Sequence, residues 1–207
     1  MKNGKQRAPI LNRRRYLQVL VGGLVFAPFT VLVAAEPFRT SDVTEAGLGI
    51  HGFDLKDHHG KPCRLTQFKG KAVLIFFGLT SCPYDCPTLL AKLAMVLRGM
   101  GGDASSVQVL FMTLDPQRDT PILLGGYLTA FHPLFLGLRG DELQTRAIAK
   151  QFRISYQKIP LGKDNYTLDH SAYGYVFGPD GRLRLFIQPA ASTSDIRHDL
   201  KKLIHEA

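Results

Sequence analysis

The chain has 207 residues, with 26 Lys and Arg against 17 Asp and Glu and a formal net charge of +9. The charge is unevenly placed: residues 1–35 carry six basic side chains and no acidic one, which leaves 20 basic against 17 acidic residues over 36–207, a net of +3. A nucleic-acid-binding role therefore loses its main support, because phosphate recognition needs a basic surface, and the length beyond residue 35 suits a single domain.

Residues 1–35 read as an export signal or an N-terminal membrane anchor. A basic segment ending in Arg13-Arg14-Arg15 precedes an apolar stretch over 16–33, and Val33-Ala34-Ala35 is a small-residue cleavage site before Glu36. Asn12-Arg13-Arg14-Arg15-Tyr16-Leu17-Gln18 resembles the twin-arginine signal, although Asn12 and Gln18 depart from its usual Ser/Thr and Lys. The anchor reading competes because residues 17–35 approach the roughly 20 needed to span a bilayer. In both readings the arginines stay cytoplasmic and the domain lies on the other side of the membrane.

Residues 36–48 show no periodicity and read as a linker or a loosely docked arm, followed by one domain over 49–207. Segments 53–57 and 62–65 flank His58-His59-Gly60-Lys61, a hairpin with a glycine turn. Adjacent histidines on a polar turn suit solvation better than metal ligation. Cys63 is the odd thiol of three; it reads as a small buried hydrophobe, with intermolecular pairing as the alternative in an oxidising compartment.

The run Ala72-Val73-Leu74-Ile75-Phe76-Phe77 is too continuously apolar for a half-exposed strand and predicts a central one, broken at Gly78. Leu89, Leu90, Leu93, Val96 and Leu97 then recur at spacings of three and four, one apolar helical face. A second apolar strand is predicted over 107–113. Thr120 caps a helix that has Pro121 in its first position, 134–138 is a short strand, and Asp141 caps a further helix. Residues 153–159 are a strand candidate and 161–167 a polar loop. Segments 172–177 and 182–187 flank Gly178-Pro179-Asp180-Gly181, a strong hairpin turn, and a last helix is capped by Ser194 or a neighbour. Strands alternating with helices, then a hairpin and a final helix, predict an α/β fold with a mixed central sheet flanked by helices, an order that suits a thioredoxin-like domain.

Cys82 and Cys86 thus fall between a central strand and a helix N-terminus, where free backbone N–H groups and the helix dipole favour a thiolate. With three residues between them the sulfurs can converge on one metal ion or close into a disulfide. A purely structural disulfide is the weaker explanation, since so short a loop removes little unfolded-chain entropy. Soft thiolates select Cu(I) or Zn, and two cysteines leave a site at least one ligand short. Of the seven histidines, His170 alone sits in a loop directly before the terminal hairpin, a position that faces the cysteine helix in thioredoxin-like topology.

Three blocks in order, Phe77-Gly78-Leu79-Thr80-Ser81-Cys82-Pro83-Tyr84-Asp85-Cys86-Pro87, Thr113-Leu114-Asp115-Pro116-Gln117-Arg118-Asp119-Thr120-Pro121, and Leu168-Asp169-His170 with Gly178-Pro179-Asp180-Gly181, resemble the Sco/SenC copper proteins over roughly residues 47–205. The resemblance implies a thioredoxin-like domain that binds one copper, as Cu(I) and as Cu(II), through Cys82, Cys86 and His170, with Asp115 near the site as a tuning residue or a plain turn residue. It implies a chaperone that assembles the copper centre of cytochrome c oxidase on the periplasmic side of the bacterial inner membrane. Its partners would be the copper-bearing oxidase subunit and other periplasmic copper carriers or thiol-disulfide proteins. Ser81 and Tyr84-Asp85 depart from the family's usual residues and bear on affinity and partner choice.

The main rival uses the same residues: a thiol-disulfide oxidoreductase, with Cys82 or Cys86 as attacking thiolate, that reduces cysteines of a periplasmic partner. Against it as a sole role, thioredoxins place two residues between their cysteines. A peroxidase fits poorly, because Ile75 and Leu79 stand where the peroxiredoxin-like pattern needs proline and a hydroxyl. A pure interaction module or copper sensor would keep the site without turnover.

Overall fold

The computed structural model describes residues 36–163 and 165–206. The leader over 1–35, with its export-signal, anchor and twin-arginine readings, lies outside the described residues. No helix among the described residues is long and apolar enough to cross a membrane.

Among the described residues ten strands and four α-helices follow in chain order: β1 (Ser41–Asp42), β2 (Asp54–Asp57), β3 (Pro62–Arg64), β4 (Ala72–Gly78), α1 (Asp85–Met100), β5 (Val107–Thr113), α2 (Pro121–Thr129), β6 (Leu136–Arg139), α3 (Glu142–Gln151), β7 (Tyr156–Pro160), β8 (Tyr166–His170), β9 (Gly174–Phe177), β10 (Leu183–Ile187) and α4 (Thr193–His205). Eight strands form one sheet in the order β1-β10-β9-β4-β5-β6-β2-β3, and β7 pairs with β8 in a separate two-stranded sheet. β4, β5 and β6 run parallel, while β9 lies antiparallel against β4. This is the mixed central sheet with flanking helices expected of a thioredoxin-like domain.

β4 is buried at every position because it is covered on both faces. Its alternation splits the core: Ala72, Leu74 and Phe76 join a cluster with α1, α2 and α4, whereas Val73, Ile75 and Phe77 join one with Ile148, Ala149 and Phe152 at α3. On α1 the apolar face is Leu89, Leu90, Leu93, Val96, Leu97 and Met100, all buried. The register pairs Gly78 with Thr113, so β4 and β5 end level with each other. Loops leaving the carboxyl ends of parallel strands are where α/β sheets place their chemistry, and both loops of interest leave this edge.

Helix starts follow local side-chain chemistry. The Thr120 hydroxyl accepts from Leu123 N–H with Pro121 in the first turn, and Asp141 and Gln144 form a reciprocal capping box on α3. The cap of α4 is Ser192, the neighbour two residues before Ser194, its hydroxyl accepting from Asp195 N–H at 3.1 Å.

The segment around His170 differs from expectation. The stretch up to Thr167 reads from sequence as a polar loop with His170 in a loop beyond it, but Tyr166–His170 is a strand that pairs antiparallel with Tyr156–Pro160, Tyr156 opposite His170. Leu168, buried between its exposed-side neighbours, anchors it to the sheet-side core. Leu168 is the only buried residue of β7 and β8, so β8 carries no apolar alternation that would mark it as a strand.

Residues 36–42 also have a defined place. β1 pairs with β10, and the buried Asp199 carboxylate on α4 accepts from Arg39 N–H at 2.9 Å, Thr40 N–H at 2.7 Å and the Thr40 hydroxyl at 2.7 Å.

Candidate metal centre

Cys86 occupies the first turn of α1 and is fully buried, whereas Cys82 is partly exposed in the loop that leaves β4. Tyr84, at the helix N-cap, gives no side-chain cap. The Cys82 sulfur takes that role instead, accepting from Cys86 N–H at 3.4 Å, and the loop is tightened by a Cys82 N–H bond to the Leu79 carbonyl at 3.2 Å. Tyr84 itself is 77% exposed, so the loop between the two cysteines faces solvent.

The two sulfurs are inequivalent. A hydrogen bond from the Cys86 thiol draws the Cys82 thiol down, burial opposes this, and the N–H groups of Cys86, Tyr84 and Asp85 add to it, for a value of about 5. Cys86 is pushed the other way, by its bond to Cys82 and then by burial. Cys82 is thus the thiolate at neutral pH and Cys86 the protonated partner. Cys63 belongs to neither: it is 3% exposed in the core, and burial first, then Asp57, pushes it up to about 11.

His170 ends β8 with Nε2 4.0 Å from Cys86 Sγ. Its Nδ1 stands 2.9 Å from the Ser171 carbonyl oxygen. A carbonyl only accepts, so the contact assigns the ring proton to Nδ1 and turns the Nε2 lone pair toward the sulfur. Metal–sulfur and metal–nitrogen bonds of roughly 2.3 and 2.0 Å at an angle of about 120° set their donors roughly 3.7 Å apart. The Cys86–His170 pair therefore fits a small soft ion between its donors. Among the described residues no three His, Cys, Asp or Glu side chains are drawn tight around one point, and Cys82 Sγ is engaged as the acceptor of the Cys86 N–H.

Room for the Cys86 sulfur comes from Gly78. A Cβ at that position would stand 2.6 Å from Cys86 Sγ and 3.0 Å from Phe111 Cε2, so the last residue of β4 has no side chain because the ligand's sulfur occupies its space.

Of the two aspartates in the loop after β5, Asp115 is paired with Arg118 and accepts from the Tyr166 hydroxyl at 2.9 Å. Arg118 in turn donates to the Tyr166 carbonyl at 2.7 Å and lies 3.8 Å over its ring. This cluster clips the β7–β8 hairpin, and with it His170, to the end of β5; among the described residues no hydrogen bond joins the Asp115 carboxylate to Cys82, Cys86 or His170. Asp119, not singled out from the sequence, is fully buried and reaches the cysteine loop directly: it accepts from Thr80 Oγ1 and Thr113 Oγ1, each at 2.5 Å, and faces Thr80 N–H at 3.2 Å. Burial pushes its carboxyl up, against the hydrogen bonds from Thr113 and Thr80.

The turn histidines are accounted for without a metal: His58 Nδ1 accepts from Gly137 N–H at 2.9 Å and its ring lies against His59. A cleft of about 490 Å³ opens beside the hairpin, lined by Asp115, Glu142, Arg146, Tyr156 and Lys158 among others, and none of Cys82, Cys86 or His170 lines it.

The SCO1/SenC family model matches residues 42–205 of the chain. The SCO2-like protein of Rickettsia felis is 36% identical over 190 residues, which cover 89% of this chain and 93% of that protein. Two solved structures are similar at a TM-score of 0.69: Bradyrhizobium japonicum ScoI with copper bound, at 38% identity over 73% of this chain and 97% of that one, and yeast Sco1 with copper bound, at 30% identity over 75% and 88%.

Proposed function

Because this chain belongs to the SCO1/SenC family, we propose that it is a copper chaperone, one that binds a single copper through Cys82, Cys86 and His170 and helps assemble the copper centre of cytochrome c oxidase. The observation that carries the reading is the 4.0 Å approach of His170 Nε2, lone pair inward, to Cys86 at the start of the cysteine helix. Two thiolates and one neutral imidazole suit Cu(I) and leave an open edge at which a recipient's ligand can attack. Copper then passes by ligand exchange, and the exposed loop around Tyr84 is where a recipient reaches it. Asp115 supports the site through the Arg118 and Tyr166 cluster that holds the His170 hairpin. The domain, onto which residues 36–42 dock through β1 and Asp199, would work on the periplasmic side of the inner membrane, delivered by the leader as cleaved signal or retained anchor. The copper-bearing oxidase subunit is the recipient. In cells lacking this gene, oxidase activity should return with the wild-type chain and not with Cys86→Ser or His170→Ala; rescue by either variant contradicts the reading.

One observation favours a second role at the same residues. A Cys82 thiol drawn down to about 5 beside a protonated Cys86 is the arrangement of an attacking thiolate and its resolving partner. The pair would give two electrons and the Cys86 proton to a partner's disulfide, the second proton coming from solvent, and itself close to a disulfide, at which point both thiolate donors for copper are lost. Reduction of a model disulfide by the copper-free dithiol, absent in Cys82→Ser, tests it.

A further inference from the structure

The phenolic oxygen of Tyr127 is buried and, among the described residues, has no hydrogen-bond partner. Buried hydroxyls without an acceptor are unfavourable and few in folded proteins, so its placement calls for a physical reason. Tyr127 lies on α2, its ring edge-on to Phe111 with centroids 6.1 Å apart. Phe111 lines the cysteine site, since one point beside Gly78 is 2.6 Å from Cys86 Sγ and 3.0 Å from Phe111 Cε2. Tyr127 and Cys82 pack as part-buried side chains on the same core cluster, the one that contains Cys86. The charges felt by the phenol agree: after burial, Cys86, Cys82 and Asp119 oppose its ionisation, so it stays a donor.

We propose that Tyr127 is a positioning residue for the copper site, its O–H donating a hydrogen bond to the Cys86 thiolate once copper is bound. The inference rests on the copper reading above. A neutral thiol is a weak acceptor, whereas a metal-bound thiolate keeps lone pairs and negative charge and takes a charge-assisted bond. The phenol is therefore better satisfied in the loaded state than in the empty one, and that difference adds to copper affinity.

The test compares the purified full chain with Tyr127→Phe, which removes only the oxygen, and with Tyr173→Phe as a control at an exposed tyrosine. Cu(I) affinity is read by competition with a chromophoric chelator, and the sulfur-to-Cu(II) charge-transfer band by absorption. Loss of a hydrogen bond to a charged group should weaken the Cu(I) Kd of Tyr127→Phe roughly tenfold and move the band to lower energy, because the sulfur lone pairs lose their donor. The copper-free Tm should hold or rise, and Tyr173→Phe should match wild type. Equal affinity and an unmoved band in Tyr127→Phe, beside a wild type that binds copper, overturn the Tyr127 assignment alone. A lower copper-free Tm with an unmoved band makes the residue merely structural and overturns it too. A wild type that takes up no copper overturns the chaperone reading and this inference with it.

Discussion

Replacing Gly78 with alanine puts a methyl group where the metal site keeps its sulfur. The new Cβ would stand 2.6 Å from Cys86 Sγ, 3.0 Å from Phe111 Cε2 and 3.1 Å from Phe111 Cζ, against the roughly 3.5–4.0 Å at which non-bonded heavy atoms rest. The shortfall of about 1 Å at the sulfur has little room to relax, because Cys86 and Phe111 are both fully buried and β4 is paired on both sides. Overpacking of this kind costs about 1–3 kcal/mol, which for a domain of this size lowers Tm by about 2–12 °C. The displaced sulfur also leaves its approach to His170, and misplacement of a ligand by its supporting residues typically costs roughly ten- to hundredfold in metal affinity. Calorimetry of the copper-free chain and Cu(I) competition on the same sample read the two effects separately. If Gly78→Ala keeps both the wild-type Tm and the wild-type affinity, the glycine does not reserve the space of the sulfur and the geometry given for Cys86 is wrong.

Alkylation should be confined to Cys82 near neutral pH, its rate rising as pH passes upward through about 5 while the thiolate forms; peptide mapping after brief iodoacetamide treatment reads it, and equal labelling of Cys86 would contradict the assignment. Asp119→Ala leaves the Thr80 and Thr113 hydroxyls without their acceptor, at about 1–3 kcal/mol for each buried group left unpaired; urea unfolding gives the cost, and an unchanged midpoint would show that the carboxylate does not brace the cysteine loop. The arm over residues 36–42 should be held most firmly in mildly acidic solution. Burial opposes ionisation of Asp199, but the N–H groups of Arg39 and Thr40, the Thr40 hydroxyl and His198 outweigh it and lower its value, so its contribution is present above the unfolded carboxylate value and lost as pH falls through the lower folded one. His198 is raised by Asp199 and then Glu36, so its contribution is present below the ordinary imidazole value and lost as pH rises through the higher folded one. Amide exchange at Arg39 and Thr40 should be slowest between these limits, and a profile without pH dependence beyond intrinsic exchange would refute the strap.

β4 and α1 were legible because their signals are local and strong: seven consecutive buried positions, then an apolar face at spacings of three and four. The position of Cys82 and Cys86 followed from those two elements alone, whereas His170 was singled out by the family resemblance and lies at the end of a strand rather than in a loop. β7 was legible as a strand candidate over 153–159, but β8 and its pairing were hidden, because what holds the hairpin comes from elsewhere in the chain, the Arg118, Asp115 and Tyr166 cluster. Asp119 carried no local signal, since Thr80, the residue it holds at the site, lies 39 positions away. A still longer separation, 160 and 159 positions, conceals the Asp199 contacts, whose backbone donors are Arg39 and Thr40. Short-range pattern reveals elements; buried polar pairings across elements appear only when the sheet brings their members together.

The most direct test of the central claim is X-ray absorption on the reduced chain titrated with Cu(I), read for stoichiometry and ligand set beside Cys82→Ser and His170→Ala. One copper per chain with two sulfur donors and one nitrogen donor is expected, the nitrogen lost in His170→Ala and one sulfur lost in Cys82→Ser. A wild-type ligand set that either substitution leaves intact would contradict the assignment of Cys82, Cys86 and His170 as the copper site.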